Sequence, residues 1–522
     1  MKNYASQASA RRRRLAGTAA LAAALVTAPL VMTVAHAETA PAASLAGEDS
    51  APFTQRVETD PATGGTRFVF TPAAGAAVDA VDVHYTVPGA SRQSLRMQRE
   101  GGDWVLAGPS TAEKFTYFFT YGRLNVSMVD TPTFSNGGGG NPTPTPPSQG
   151  GTFPLTINNN TGLPNDQVYV AIVGQASPGH YSYLTPDGRL LKVNEGANAP
   201  GAPNPTMSFK LSDIKGSLTL PAHLEGARIY VSEKKPLVMP AADGDRGYGQ
   251  PDLNNPADPN RTTKFDFYEF TYQHGKIAFG SNTTQVDGFA IPMTADLTQK
   301  ESDYDQKSGI DPKKAARLKD FSDYKSHVDD AFKKLVTADG HRIIAPRSSK
   351  DFKAGGPAAH YFDKAVNEAW TKWEKGFDIS SDGVRFKGKA ENGLLRFTKT
   401  QDGVTSPEGT VSKPSTSDIM GCEGTLAQGS DLEKQFEANI CAAFNRGVAL
   451  NSKDGGKTYD WADASKYYGA GATYNQYAKY FHDVGVGGRA YAFAYDDVNQ
   501  QSSVTVLPNA EAPTSLTLTL GG

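Results

Sequence analysis

The chain predicts a mainly β protein with an α/β insertion late in its length. Three observations carry that expectation. Short runs of alternating apolar and polar residues, punctuated by Gly, Pro and Asn, fill residues 53–134 and 153–295. Apolar residues take helical spacing only between 311 and 444. Alternation then returns at 490–495, 503–506 and 515–520.

Residues 1–37 read as a signal peptide. Arg11–Arg14 form a positive start, Leu15–Val34 is apolar, and Ala35-His36-Ala37 fits a small-x-small cleavage site. An exported protein is therefore expected. Losing the five basic residues of this segment would take the net charge from −3 to −8, which argues against nucleic acid or an anionic membrane as partner. No later stretch is long and apolar enough to span a bilayer, so no membrane role is expected after export, and the mature chain is expected to be a monomer.

Residues 38–50 read as a disordered lead. Residues 51–135 carry strand patterns at 67–70, 81–87, 94–97, 104–106 and 115–121, the spacing of a small β-sandwich. Phe115, Tyr117 and Phe119 fall at period two, as core aromatics do. Residues 136–151, NGGGGNPTPTPPSQGG, join flexible glycines to an extended Pro-Thr run and read as a linker.

The rest, 152–522, divides into a sheet part (about 152–295 and 488–522) and an α/β part (about 296–487). Strands are expected at 153–157, 168–173, 207–211, 217–220 and 228–232. Helices are expected at 311–336, with Asp311-Pro312 as its start, at 358–373 and at 431–444. The acidic loop 241–261 lacks calcium-loop spacing: Gly247, Tyr248 and Asn254 stand where a ligand, a Gly and a Glu are needed. Cys422 and Cys441, the two cysteines of the chain, are expected to form a disulfide.

No Gly-x-Ser-x-Gly elbow or His-Glu-x-x-His helix is present, and Gly455–Thr458 lacks the first Gly of a phosphate loop. No metal or other cofactor is expected. Carboxylates remain as the chemistry on offer. In 264–294, KFDFYEFTYQHGKIAFGSNTTQVDGFAIPMT, Glu269 and Asp287 stand among apolar residues of two expected strands. Strand parity puts Phe267, Glu269, Thr271 and Gln273 on one face and Tyr268, Phe270 and Tyr272 on the other. Apolar company raises a carboxyl pKa, as a general acid requires. Asp287 shares a face with Gln285, and Asn282, Thr283 and Thr284 suit sugar hydroxyls. From spacing alone, both acids equally fit solvated positions on the outside of a sheet, and Asp266 is a third acid nearby.

KFDFYEFTY followed by NTTQVDGFAIPMT resembles the core of glycoside hydrolase family 64, the β-1,3-glucanases. FPLTINNNTGLPNDQVYVAIVG and GRAYAFAYDDV are similar to that family too. The resemblance implies a thaumatin-like β-sandwich or barrel beside a mixed α/β domain, with a wide glucan groove between them. It implies inverting hydrolysis of β-1,3-glucan to short oligosaccharides, with Glu269 as general acid and Asp287 as general base. Thr271, Tyr272, Gln273, Asn282, Thr284, Gln285, Tyr491 and Asp497 are the candidate substrate contacts, and Phe279 could stand in for a missing tryptophan platform. VDVHYTV, the GDW turn and FTYFFTYGRLNVSMVDTPTF resemble carbohydrate-binding module family 56, which implies glucan binding, with Trp104 and Tyr121 as stacking candidates. The rival reading is a non-catalytic β-glucan-binding or thaumatin-like antifungal protein.

Overall fold

The computed structural model describes residues 53–59, 66–72, 78–87, 93–109, 115–123, 127–130, 134–135 and 151–521, except 254 and 256. The expected signal peptide, lead and nearly all of the linker lie outside these residues. The described chain is mainly β with a few helices.

The N-terminal module is two small sheets. One orders its strands Phe53–Thr59, Thr66–Pro72, Asp103–Ala107, Gln98–Glu100; the other runs Gln93–Arg96, Ala80–Thr86, Thr116–Arg123, Ser127–Asp130. Their inward residues at period two, Phe68, Phe70, Val81, Val83, Phe115, Tyr117 and Phe119, form one core. Trp104 belongs to that core, only 8% exposed, and Tyr121 packs on Phe70 with ring centroids 4.8 Å apart. The expectation that Trp104 is a sugar-stacking platform is therefore corrected, because its ring is spent on the module's own interior, while Tyr121 is only partly buried against that core. The opposite face of the second sheet carries His84, stacked on Phe118 at 4.5 Å.

From Gly151 onward a two-sheet sandwich forms. The five-stranded sheet orders Leu218–Leu220, Phe153–Asn160, Ser515–Gly521, Met293–Gln299, Tyr304–Gly309. The eight-stranded sheet runs from Leu190–Lys192 through His180–Leu184, Val168–Ser177, His223–Glu233, Phe265–Gln273 and Ile277–Thr283 to Thr505–Val506, with Phe209–Lys210 pairing Val168–Ser177 off this path. One core fills the space between the sheets, with Leu155, Leu518 and Leu297 facing Ile172, Ile229, Tyr268 and Phe270. A second cluster covers part of the other face of the eight-stranded sheet, where Tyr230, Phe265 and Phe267 meet Leu237, Met239 and Tyr248 from its loops.

A separate core gathers the helical part, from Phe289 to Val498. Helices Asp363–Trp373 and Asp431–Asn445 form largely where helical spacing places them. Ser430 and Glu433 close a capping box on the latter, each side chain satisfying the other residue's backbone N–H. The single helix expected at 311–336 is instead a short turn and two short helices, Ser322–His327 and Asp330–Lys333. Phe321 adopts a left-handed φ of 59° and Val328 is extended, so packing into the core overrides the periodicity. Segment 490–495, expected as a strand, has no ladder. Its amides serve other partners: Tyr491 O accepts from Gln285 N, and Ala492 N donates to the Asp496 carboxylate. Cys422 and Cys441 are bonded, Cα atoms 5.7 Å apart, closing a loop that stabilises by about 3 kcal/mol. Among the described residues no helix is long and apolar enough to cross a membrane.

Candidate active site

The strand Phe265–Gln273 alternates as parity requires. Tyr268, Phe270 and Tyr272 enter the sandwich core, while Phe265 and Phe267 enter the cluster on the other face. Further along that second face the covering loops end, and Glu269, Thr271 and Gln273 are only partly buried. Asp266, the third acid, points the other way. It is buried and accepts from Ala290 N and Ile291 N at 2.6 Å each. Burial pushes its carboxyl up to about 6 against the opposing pull of Arg342. A carboxylate sealed by two amides has no substrate to meet.

Glu269 lies directly opposite Arg228 on one neighbouring strand and Asn282 on the other. Its Oε1 accepts from Arg228 Nε at 2.9 Å and lies 2.9 Å from Nη2. Its Oε2 accepts from Asn282 Nδ2 at 3.2 Å. Its side chain is 12% exposed. As parity expects, the rings of Tyr268, Phe270 and Tyr272 are on the far face of the sheet, so the apolar company expected for the carboxyl does not come from them. A guanidinium and an amide surround the carboxyl instead.

Asp287 is not on a strand. The Ile277–Thr283 strand ends, and the chain then crosses from one core to the other. Phe289 belongs to the helical core, and Ala290 and Ile291 to the sandwich core. Gly288–Phe289 pairs with Ile343–Ile344 across this crossing. The approach of Ile343 O would leave a Cβ on residue 288 only 2.9 Å away, so glycine is required there. Asp287 is 53% exposed, with Arg347 Nη1 3.7 Å from its Oδ1.

Several candidate contacts prove to be structural. Tyr272 is fully buried against Phe153 and Phe279; Phe279 is likewise inside the core, so neither ring is a platform. Gln285, expected beside Asp287 on an open face, is buried. It accepts the Tyr477 hydroxyl on its carbonyl at 2.6 Å, and its side chain accepts Tyr491 N. It clamps the crossing rather than facing sugar. Thr284 is buried, and its hydroxyl caps Val286 N. Tyr491 is buried with its hydroxyl on Ala494 O, and Asn282, 1% exposed, serves Glu269. Thr271 stays partly exposed and accepts Gly226 N at the bulge of the adjoining strand. Gln273 also stays partly exposed. Asp497 is partly buried, and burial and the adjacent Asp496 push its carboxyl up to about 6.

Two residues were missed by sequence reasoning. Arg228 interrupts an apolar strand (GARIYV) as Glu269 interrupts its own, and that shared oddity was a usable signal. Arg347 carried none. No group of three His, Cys, Asp or Glu poised for a metal occurs among the described residues.

Comparison with known proteins places the chain. Residues 151–520 match the profile of glycoside hydrolase family 64, described as beta-1,3-glucanase. The chain belongs to that family. Residues 57–131 match carbohydrate binding module family 56. The glycoside hydrolase family 64 laminaripentaose-producing β-1,3-glucanase of Paenibacillus barengoltzii is 28% identical, with a TM-score of 0.53 over 90% of this chain and 100% of its own. The family 64 domain from Clostridium beijerinckii is 29% identical, with a TM-score of 0.61 over 72% of this chain and 100% of its own. A curated relative, glucan endo-1,3-beta-glucosidase of Cellulosimicrobium cellulans, is 25% identical over 369 residues, 69% of this chain. The chain spans 64% of that relative's length.

Proposed function

We propose that this family 64 chain is an exported endo-β-1,3-glucanase that cuts laminarin- or curdlan-type glucan by inversion. The observation that carries the reading is the contrast between its two candidate acids. Glu269 is a carboxyl held on both oxygens at the uncovered end of a sheet face, and Asp287 is an exposed carboxylate where the chain enters the helical core.

In this reading the two-sheet body is the thaumatin-like part, and the glucan lies in a groove between it and the helical part. Glu269 donates its proton to the glycosidic oxygen as the C–O bond breaks. Asp287 takes a proton from the water that attacks the anomeric carbon from the opposite face. Inversion needs about 6.5–9.5 Å between the carboxyls to admit that water. Of the expected contacts, Thr271, Gln273 and Asp497 keep partly exposed side chains and would meet sugar hydroxyls. A bonded cysteine pair suits an oxidising compartment, in keeping with residues 1–37 as an export signal. The N-terminal module would tether the enzyme to insoluble glucan and raise its local concentration, with His84 and Phe118 as a half-buried, stacked aromatic pair on its outer sheet face.

The test is incubation of the protein without residues 1–37 with laminarin, following reducing ends and anomeric configuration. Glu269→Gln and Asp287→Asn are each expected to lower kcat by about 10²–10⁴-fold. A first product of retained configuration would overturn inversion. Wild type that releases no soluble sugar would leave a glucan-binding protein.

A further inference from the structure

Three directly opposed residues, Arg228, Glu269 and Asn282, make one polar row across three neighbouring strands. The row is built. Arg228 is 16% exposed on its side chain. Its guanidinium lies 4.3 Å over the Phe267 ring, and its Nη1 donates to Gln250 Oε1 at 2.6 Å and to the Tyr230 hydroxyl at 3.3 Å. Tyr230 is in turn bonded to Tyr248. Asn282 is buried, and its Oδ1 has no hydrogen-bond partner among the described residues. Those contacts leave the guanidinium one orientation, with Nε and Nη2 turned to Glu269 Oε1.

We propose that Arg228 and Asn282 are the positioning residues of the acid: Arg228 occupies Oε1, so the catalytic proton rides on Oε2, and Asn282 serves Oε2 in both its protonated and ionised states. The inference rests on the reading of Glu269 as the general acid. An oxygen facing two cationic N–H groups is a poor site for a proton. Oε2 has only a neutral amide, whose two ends are chemically opposite. Before reaction, Oδ1 of Asn282 accepts the Oε2–H, which gives the buried Oδ1 the partner it otherwise lacks. After the proton has passed to the glycosidic oxygen, half a turn of the amide brings Nδ2 to the new carboxylate. The proton lost by Oε2 is the one gained by the leaving sugar, while the proton lost by the attacking water passes to Asp287 in the same displacement.

The charged and titratable groups around the row are few. Arg228 comes from one flanking strand; the other offers the neutral Asn282. The hydroxyl of Tyr491, on the 490–497 segment, lies within electrostatic reach of both Glu269 and Asp497. Tyr230 and Tyr248 flank the guanidinium.

The experiment compares Arg228→Met, Arg228→Lys, Asn282→Ala and Glu269→Gln on laminarin, recording kcat, KM and the pH profile of kcat/KM. Removing a cation beside a carboxyl favours its protonated form. Arg228→Met is therefore expected to move the alkaline limb of the profile upward and to lower kcat at least tenfold. Arg228→Lys keeps the charge and is expected to return the limb to its wild-type place, while recovering only part of kcat because one ammonium does not reproduce the planar fork. Asn282→Ala is expected to lower kcat at least tenfold with KM within twofold of wild type. A profile for Arg228→Met that superimposes on wild type, or a loss that appears wholly in KM for Asn282→Ala, overturns the proposal. Glu269→Gln separates the two levels: full activity in that variant removes Glu269 as the acid, whereas its inactivity beside an unmoved limb in Arg228→Met removes only the positioning role.

Discussion

Glu269 stands within a nine-residue strand with a hydrogen-bonded strand on each side, whereas Asp287 stands on a crossing between two hydrophobic cores. The first is fixed by backbone ladders and by partners on both oxygens. The second is fixed indirectly, through Gln285 clamped between Tyr477 and Tyr491, and among the described residues its own carboxylate pairs with Arg347 at 3.7 Å. The difference fits the two tasks proposed for these acids. A proton donor must meet one oxygen of the substrate at hydrogen-bond distance, so it gains from a rigid mount. A base that works through a water tolerates more freedom, because the water takes up the slack.

The largest expected effect breaks this comparison at its centre. Shortening Glu269 to Asp withdraws the donor from both of its partners and from the substrate, and kcat on laminarin is expected to fall by about 10²-fold or more. Lengthening Asp287 to Glu is expected to cost about tenfold or less. Equal losses in steady-state assays would show that the two mounts are equally strict.

Next comes the support behind the crossing. Asp496 is fully buried, paired with Arg446 at 3.1 Å and His482 at 3.0 Å, and accepts Ala492 N. Asp496→Ala leaves Arg446 charged in an apolar interior, and chemical denaturation is expected to show a loss of about 3–5 kcal/mol. Because this network anchors the segment that holds Gln285, Asp287-dependent turnover should decline before the sandwich itself unfolds.

The smallest effect concerns Asp497, whose carboxyl burial pushes up to about 6 from an ordinary 3.8. Between these values the folded chain holds a proton that the unfolded chain has released, so stability is full below about 4 and falls as pH rises through about 6. Asp497→Asn removes the titration. Its melting temperature is expected to match wild type near pH 4 and to exceed it at pH 7, by the equivalent of roughly 2–3 kcal/mol. A constant difference across that range would contradict the burial of this acid.

Much of this was open to the sequence by itself. Alternation placed the strands, and parity put Tyr268, Phe270 and Tyr272 on one face and Phe267, Glu269 and Thr271 on the other, because side-chain direction along a strand is a local property of the backbone. Helix Asp431–Asn445 and the cysteine pair were legible as well. What stands across from a residue is not local. Arg228 meets Glu269 from 41 positions away, and Tyr477 reaches Gln285 from 192, through registers that no single segment encodes. So the tertiary structure alone decided that Glu269 is framed by a guanidinium and an amide, that Asp287 sits on a crossing and not a strand, and that Tyr272, Gln285 and Trp104 are interior. Periodicity reports which way a side chain points; only packing decides whether water, a partner or another layer of protein lies there.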